Sequence, residues 1–179
     1  MSELFPAIIA KDFAELKEKL SQVEGLVSWA QIDVMDGVFV PPMTWRTPKD
    51  LENLKTTINL EAHLMIASPE KIIDAWLASP VKRILLHYES TTPEKMKELI
   101  EKIQKADKEA GVALKLETPL SVLDDMFQVS SFKFHVVQLM GIAEIGYYGH
   151  AFEEKALERI SALRAKYPGV TIEVDGGVT

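Results

Sequence analysis

Two aspartates three positions apart, in an apolar run that ends at glycine, are the first residues in this chain that could do chemistry: Gln31-Ile32-Asp33-Val34-Met35-Asp36-Gly37. Buried strands normally avoid carboxylates, because an unpaired buried charge is costly or neutralises itself. With side chains alternating, Gln31, Asp33 and Met35 share one face and Ile32, Val34 and Asp36 the other. Further polar residues close other apolar runs: His63 in Glu61-Ala62-His63-Leu64-Met65, then His87, Glu117, and Asp175 before Gly176-Gly177. Two carboxylates on different strands with a histidine between them suit a metal-assisted proton transfer. One carboxylate would remove a proton next to a carbonyl, the other would deliver one to the opposite face, and a divalent cation would stabilise the developing charge. Each residue alone also has an ordinary explanation. His63 and His87 read as hydrogen-bonded core histidines, Asp36 and Asp175 as turn residues before glycine, and Met35, Met65 and Met140 as core methionines. Their joint placement at strand ends favours a site.

The elements that would position them alternate along the chain. Apolar runs at residues 4–10, 27–36, 58–65, 81–87, 111–116, 132–140 and 170–175 read as strands. Between them lie helical patterns. Asp12 caps one with Phe13, Leu16, Leu20 and Val23 on its inner face. Ser68-Pro69-Glu70 opens a second, with Ile72, Ile73, Trp76 and Leu77 inward, and Thr92-Pro93-Glu94 a third, with Met96, Leu99, Ile100 and Ile103. Pro119 begins a shorter one through Leu123, Met126 and Phe127, and residues 152–166 form another with Leu157, Ile160 and Leu163 inward.

Alternation with no break in composition predicts one domain over residues 1–179 and a parallel sheet, whose strands are apolar on both faces. A doubly wound sheet and a barrel both fit. No glycine-rich dinucleotide fingerprint follows the first strand, which favours an α/β TIM (β/α)₈-type barrel. The carboxyl ends of such strands carry the active site. About seven βα units are present and the eighth is missing, which leaves the first and seventh strands with unpaired edges. A partner chain, an irregular closure or a domain incomplete at its C-terminus would each account for this, and the last is the favoured expectation.

Composition narrows the classes. The net charge of −7 comes with no basic stripe, which argues against nucleic acid as partner but not against an anionic substrate held by a local field. With no cysteine, disulfides and thiolate metal sites are excluded. No apolar stretch approaches the roughly 20 residues of a membrane span, and residues 1–10 lack the pattern of a secretory leader. A cytoplasmic protein is expected.

Several motifs resemble the ribulose-phosphate 3-epimerase family. Asp33-Val34-Met35-Asp36-Gly37-Val38-Phe39-Val40-Pro41 is similar to its second-strand motif. His63-Leu64-Met65, Gly111-Val112-Ala113-Leu114 with Thr118-Pro119, and Glu173-Val174-Asp175-Gly176-Gly177-Val178 follow in the expected order, after an opening at Phe5-Pro6-Ala7-Ile8 and Lys11-Asp12-Phe13. The resemblance implies a (β/α)₈ barrel isomerase of carbohydrate metabolism and the pentose phosphate pathway. Such an enzyme interconverts D-ribulose 5-phosphate and D-xylulose 5-phosphate by proton transfer at C3, with a divalent metal ion (Zn, Fe, Mn or Mg). It implies Asp33 and Asp175 as acid/base pair and metal ligands, and His63 as a further ligand. Gln31 stands where the family has a histidine ligand. Met35, Met65, Met140, Gly176 and Gly177 would contact substrate, as would Ala7, which replaces a family serine. The expected partner is a small-molecule sugar phosphate, with a homo-oligomer as an option.

Other departures are Lys115 and Leu116 in place of an asparagine and a proline, and a loop Gly141-Ile142-Ala143-Glu144-Ile145-Gly146-Tyr147-Tyr148-Gly149-His150 in place of a glycine-rich phosphate cradle. Glu144 there would repel phosphate. An inactive homologue acting as a binding or assembly protein is the alternative reading.

Overall fold

The structure, a computed structural model, describes residues 2–127 and 135–178. Seven parallel strands form one curled sheet in strict chain order: β1 (Ala7–Ile8), β2 (Trp29–Met35), β3 (Asn59–Met65), β4 (Arg83–His87), β5 (Glu109–Leu114), β6 (Val136–Met140) and β7 (Thr171–Asp175). Neighbours in sequence are neighbours in space, as βα units laid down one after another in a single rotational sense require. The result is a TIM-like half-barrel with β1 and β7 as its two edges. The expected sixth strand began at residue 132, and residues 132–134 lie outside the described residues.

Helices α1 (Phe13–Val23), α2 (Ile73–Leu77), α3 (Pro93–Lys105), α4 (Asp124–Phe127) and α5 (Lys155–Lys166) cover the outside. Asp12 caps α1 by accepting from the Glu15 N–H at 2.9 Å, and Glu15 returns a bond from the Lys11 N–H at 2.8 Å, so donors that no helical carbonyl can reach are satisfied. Thr92 caps α3 in the same way, with Pro93 at the first helical position. Ser68 does not cap α2. It sits in a left-handed conformation, φ 55°, ahead of a 3₁₀ turn over Pro69–Lys71, and the helix starts only at Ile73. Alternate strand residues such as Ile32, Val34, Leu64, Ile84, Leu86, Val112 and Leu139 pack outward against Leu16, Leu20, Trp76, Ile100, Ile103 and Leu163.

Further expectations shift, beginning with the first strand, which was expected over residues 4–10 and is only Ala7–Ile8. The fifth strand runs from Glu109 to Leu114, two residues earlier than its apolar run suggested. The helix expected from residue 119 is a 3₁₀ turn over Leu120–Leu123 followed by the single turn α4. The last helix begins at Lys155, and Leu157 is 55% exposed. Its inner stripe is Ala156, Arg159 and Leu163 with Ile160 half-buried, because Arg159 turns in to donate to the carbonyls of Thr118 and Lys115.

Candidate functional site

In a curled parallel sheet one face of every strand points inward. Strand β2 sends Gln31, Asp33 and Met35 there, β3 sends Glu61, His63 and Met65, β6 sends Gln138 and Met140, and β7 sends Glu173 and Asp175. The register aligns Asp33 with His63, Met35 with Met65, Gln138 with Glu173 and Met140 with Asp175. Polar residues on strands far apart in sequence therefore meet in two layers.

The layer toward the carboxyl ends is the candidate active site. His63 is fully buried, and its Nδ1 lies 3.0 Å from Asp33 Oδ1 and 3.5 Å from Asp175 Oδ2. Gln31 Nε2 donates to Asp33 Oδ1 at 2.8 Å and to Asp175 Oδ2 at 3.0 Å, joining the two carboxylates. Gln138 Nε2 donates to the same Asp175 oxygen at 3.2 Å. Behind His63, its Nε2 lies 2.9 Å from Nε2 of the fully buried His87. Burial, and then the charge of Asp33, raise the pKa of Asp175, against the opposing pull of His63. For His63, burial disfavours the charged ring, but the hydrogen bond and charge of Asp33, with Asp175 adding, outweigh it and the pKa rises. Burial holds His87 neutral, with a pKa lowered to about 4.

The donor set fits a divalent cation. One atom each from Asp33, His63 and Asp175 lies within 4.8 Å of the others, the spread expected when ligands sit roughly 2–2.5 Å from a common ion. Two carboxylates and an imidazole suit Mg, Mn, Fe or Zn. Turning the Gln31 amide over would bring its carbonyl oxygen to the place Nε2 now holds, offering a fourth ligand of the hard type.

Above the layer opens a cavity of about 940 Å³, lined among others by Ala7, Asp33, Met65, Met140, Asp175, Gly176 and Gly177. Met35 is fully buried beside Met65 and Met140, beneath Gly146, and underpins this wall. Gly177 has φ 73°, and a Cβ there would stand 2.5 Å from the Phe152 nitrogen, so only glycine allows the loops after β6 and β7 to meet. The loop after β6 also reaches the free edge of β1, where the Tyr148 hydroxyl accepts from the Ile9 N–H at 2.7 Å.

Other expected residues are elsewhere. Asp36 is a turn residue: its carboxylate accepts from the N–H groups of Val38, Phe39 and Ala67 and ties the β2 and β3 loops together. Glu117 faces solvent and pairs with Lys155. Glu144 is exposed and does not line the 940 Å³ cavity, which weakens its expected repulsion of phosphate. Lys115 Nζ sits 4.2 Å from the Phe39 ring centre.

The layer toward the amino ends went unforeseen. Arg83 pairs with Glu61 at 2.8 Å, with Glu109 at 2.7 Å and with Glu173. Burial, then repulsion by Glu173, pushes the Glu61 carboxyl up to about 8 despite Arg83. Gln138 was also missed. Its only signal is a lone amide within Val136-Val137-Gln138-Leu139-Met140, two positions before the pocket methionine, as Gln31 stands two before Asp33.

The Ribulose-phosphate 3 epimerase family model matches residues 3–179. The chain is 32% identical over 186 residues to a ribulose-phosphate 3-epimerase of Eremothecium gossypii, covering 97% of this chain and 75% of that protein. Identity is 32% over 183 residues to a ribulose-phosphate 3-epimerase of Schizosaccharomyces pombe, covering 99% and 77%. It is 32% over 180 residues to one from Synechocystis, covering 97% and 76%. With strands, register and interior acids arranged as described, the chain belongs to the ribulose-phosphate 3-epimerase family.

Proposed function

We propose that this protein is a carbohydrate epimerase that inverts C3 of a ketopentose phosphate, with D-ribulose 5-phosphate as the first substrate to test. The observation that carries this is the meeting of Asp33, His63 and Asp175 from three strands, with both aspartates lining a cavity large enough for such a molecule and His63 buried behind them. Inversion needs one group to take the C3 proton from one face and another to return a proton to the other face. Asp33 binds Gln31 and His63 through Oδ1, and Asp175 binds Gln31, Gln138 and His63 through Oδ2. Each carboxylate keeps its second oxygen free of hydrogen bonds to described residues and so available to substrate. The raised pKa of Asp175 suits it to hold the proton that is returned to the substrate. Met65 and Met140 line the cavity without exchangeable protons and keep water from the reacting carbon. A divalent cation held by Asp33, His63, Asp175 and the Gln31 carbonyl would stabilise the negative charge that develops on the substrate when the proton leaves.

The test is deuterium exchange at C3 of D-ribulose 5-phosphate in D₂O, followed by NMR, with Mg²⁺, Mn²⁺, Fe²⁺ or Zn²⁺ supplied in turn. Exchange with at least one metal, abolished by Asp175→Asn, is the expected result. No exchange of this or related ketose phosphates with any of them would sink the proposal.

A non-catalytic binding role draws support from one observation: the Gln31 amide nitrogen already bridges the two carboxylates, as a cation would. Gln31→His combined with Ala7→Ser separates the readings. An active site should gain metal affinity, whereas a relic should not.

A further inference from the structure

We propose that Glu89, acting through His87, positions His63 so that Nδ1 is the nitrogen presented between Asp33 and Asp175. The inference rests on the metal-assisted reading above only for what occupies that space. Glu89 lies in the 3₁₀ turn after β4 and is fastened at one oxygen, where Oε1 accepts from the Lys115 N–H at 2.8 Å and from the Thr118 hydroxyl. Against burial, hydrogen bonds from His87, Thr118 and Lys115 bring its pKa down to about 2, so Glu89 stands as a carboxylate, which can only accept. Its Oε2 lies 3.2 Å from His87 Nδ1, so that nitrogen carries the hydrogen.

The rest follows by alternation of donor and acceptor. A neutral His87 with hydrogen on Nδ1 has a lone pair on Nε2. That lone pair faces His63 Nε2 at 2.9 Å, so His63 must donate from Nε2. Its Nδ1 then points toward Asp33 Oδ1 and Asp175 Oδ2, to carry either a proton or a metal ion. Reversing the chain would set the His87 Nδ1 lone pair against the Glu89 carboxylate, with both rings fully buried. Gln138 Nε2, at 3.5 Å from His63 Nε2, is a donor facing a donor and directs its hydrogens to Asp175 instead. Packing holds the relay in plane. The His63 and His87 rings meet edge to edge, 28° from coplanar with centroids 5.0 Å apart, and Phe39 lies 5.0 Å from His87. Ligating histidines commonly owe their tautomer to a hydrogen bond at the other nitrogen; here it arrives through a second imidazole. Glu89 and His87 are thus positioning residues.

Glu89→Gln tests this by inverting the relay. Oε1 can keep its two donors while the new amide N–H₂ faces His87 Nδ1, which forces hydrogen onto His87 Nε2 and onto His63 Nδ1. The experiment is ¹⁵N–¹H NMR of the histidine rings in the full chain, free and titrated with Zn²⁺, with Zn²⁺ affinity measured in parallel. In the wild-type protein His87 is expected as the Nδ1–H tautomer, with Zn²⁺ shifting His63 Nδ1. Glu89→Gln should invert both rings and weaken Zn²⁺ binding about 10–100-fold, and Glu89→Asp should recover part of the loss. Wild-type protein needs no folding control. If its His87 carries hydrogen on Nε2, or Zn²⁺ shifts His63 Nε2, the relay is overturned. Wild-type protein that ignores Zn²⁺ while keeping His87 as Nδ1–H counts against a zinc-assisted site and supports the relay.

Discussion

Replacing Glu61 by glutamine should flatten the pH dependence of stability. Glu61 is fully buried against Arg83 and Glu173, and burial with the Glu173 charge raises its pKa from 4.5 to about 8. Two oxygens in this layer, Glu61 Oε1 and Glu173 Oε2, are buried without a partner. One proton shared between the two carboxyls would satisfy both and leave that pair a single negative charge, which with Glu109 flanks the Arg83 cation. A group whose folded pKa is raised stabilises the fold fully below its unfolded pKa and loses that contribution as pH rises through the folded value. The window for Glu61 therefore runs from 4.5 to about 8. A rise of about 3.5 units, at about 1.4 kcal/mol each, gives a ceiling of about 5 kcal/mol. Sharing of the proton with Glu173 spreads the titration over two groups and reduces the effect to roughly 2–4 kcal/mol. Glutamine keeps the shape and cannot ionise. Urea unfolding of both proteins, followed by tryptophan fluorescence from pH 5 to 8.5, should show the Glu61→Gln variant gaining that amount on the wild type as pH rises. Parallel stability profiles would refute the shared proton.

Three further outcomes follow from packing and capping. A Cβ at Gly111 would meet Leu85 Cδ2 at 2.1 Å, so Gly111→Ala should cost about 1–3 kcal/mol by overpacking, and Leu85→Ala should cost less in that background than in the wild type; equal costs in the two backgrounds by thermal melting would contradict this. Asp12→Ala removes the cap on Glu15 N–H and should cost about 1 kcal/mol, read as a lowered urea midpoint at unchanged slope. Asp36→Ala strips the acceptor from three N–H groups in two loops and should cost about 1–3 kcal/mol. Because hydrogen bonds hold the Asp36 pKa low against burial, that penalty should shrink in acid as the wild-type carboxyl protonates.

Much of the fold and half of the site could be read from the residues alone. Alternation in β2 put Gln31, Asp33 and Met35 on one face, and the structure turns that face inward. Helix starts at Asp12 and Thr92 were legible because capping is a local hydrogen bond between residues three apart. Leu157 was misread because helical period fixes which residues share a face but not which face turns inward, and buried Arg159 settled that. Glu117 was misread because an apolar run does not show where pairing stops: β5 ends at Leu114, and the side chain beyond it swings to solvent.

What the sequence determined by itself was local: strand and helix periods, caps, and an order of motifs specific enough to indicate the family. The assembled site was decided by the tertiary structure. Gln31 and Asp175 are 144 positions apart and meet at 3.0 Å, and His63 reaches Glu89 only through His87 on the neighbouring strand. Such contacts depend on the curl of the sheet and on register between strands, which no single strand carries in its own pattern. Whether a buried acid is a reacting group, a turn lock or one of a proton-sharing pair depends on the neighbours that curl supplies, because a charge out of water takes its protonation from whatever it touches.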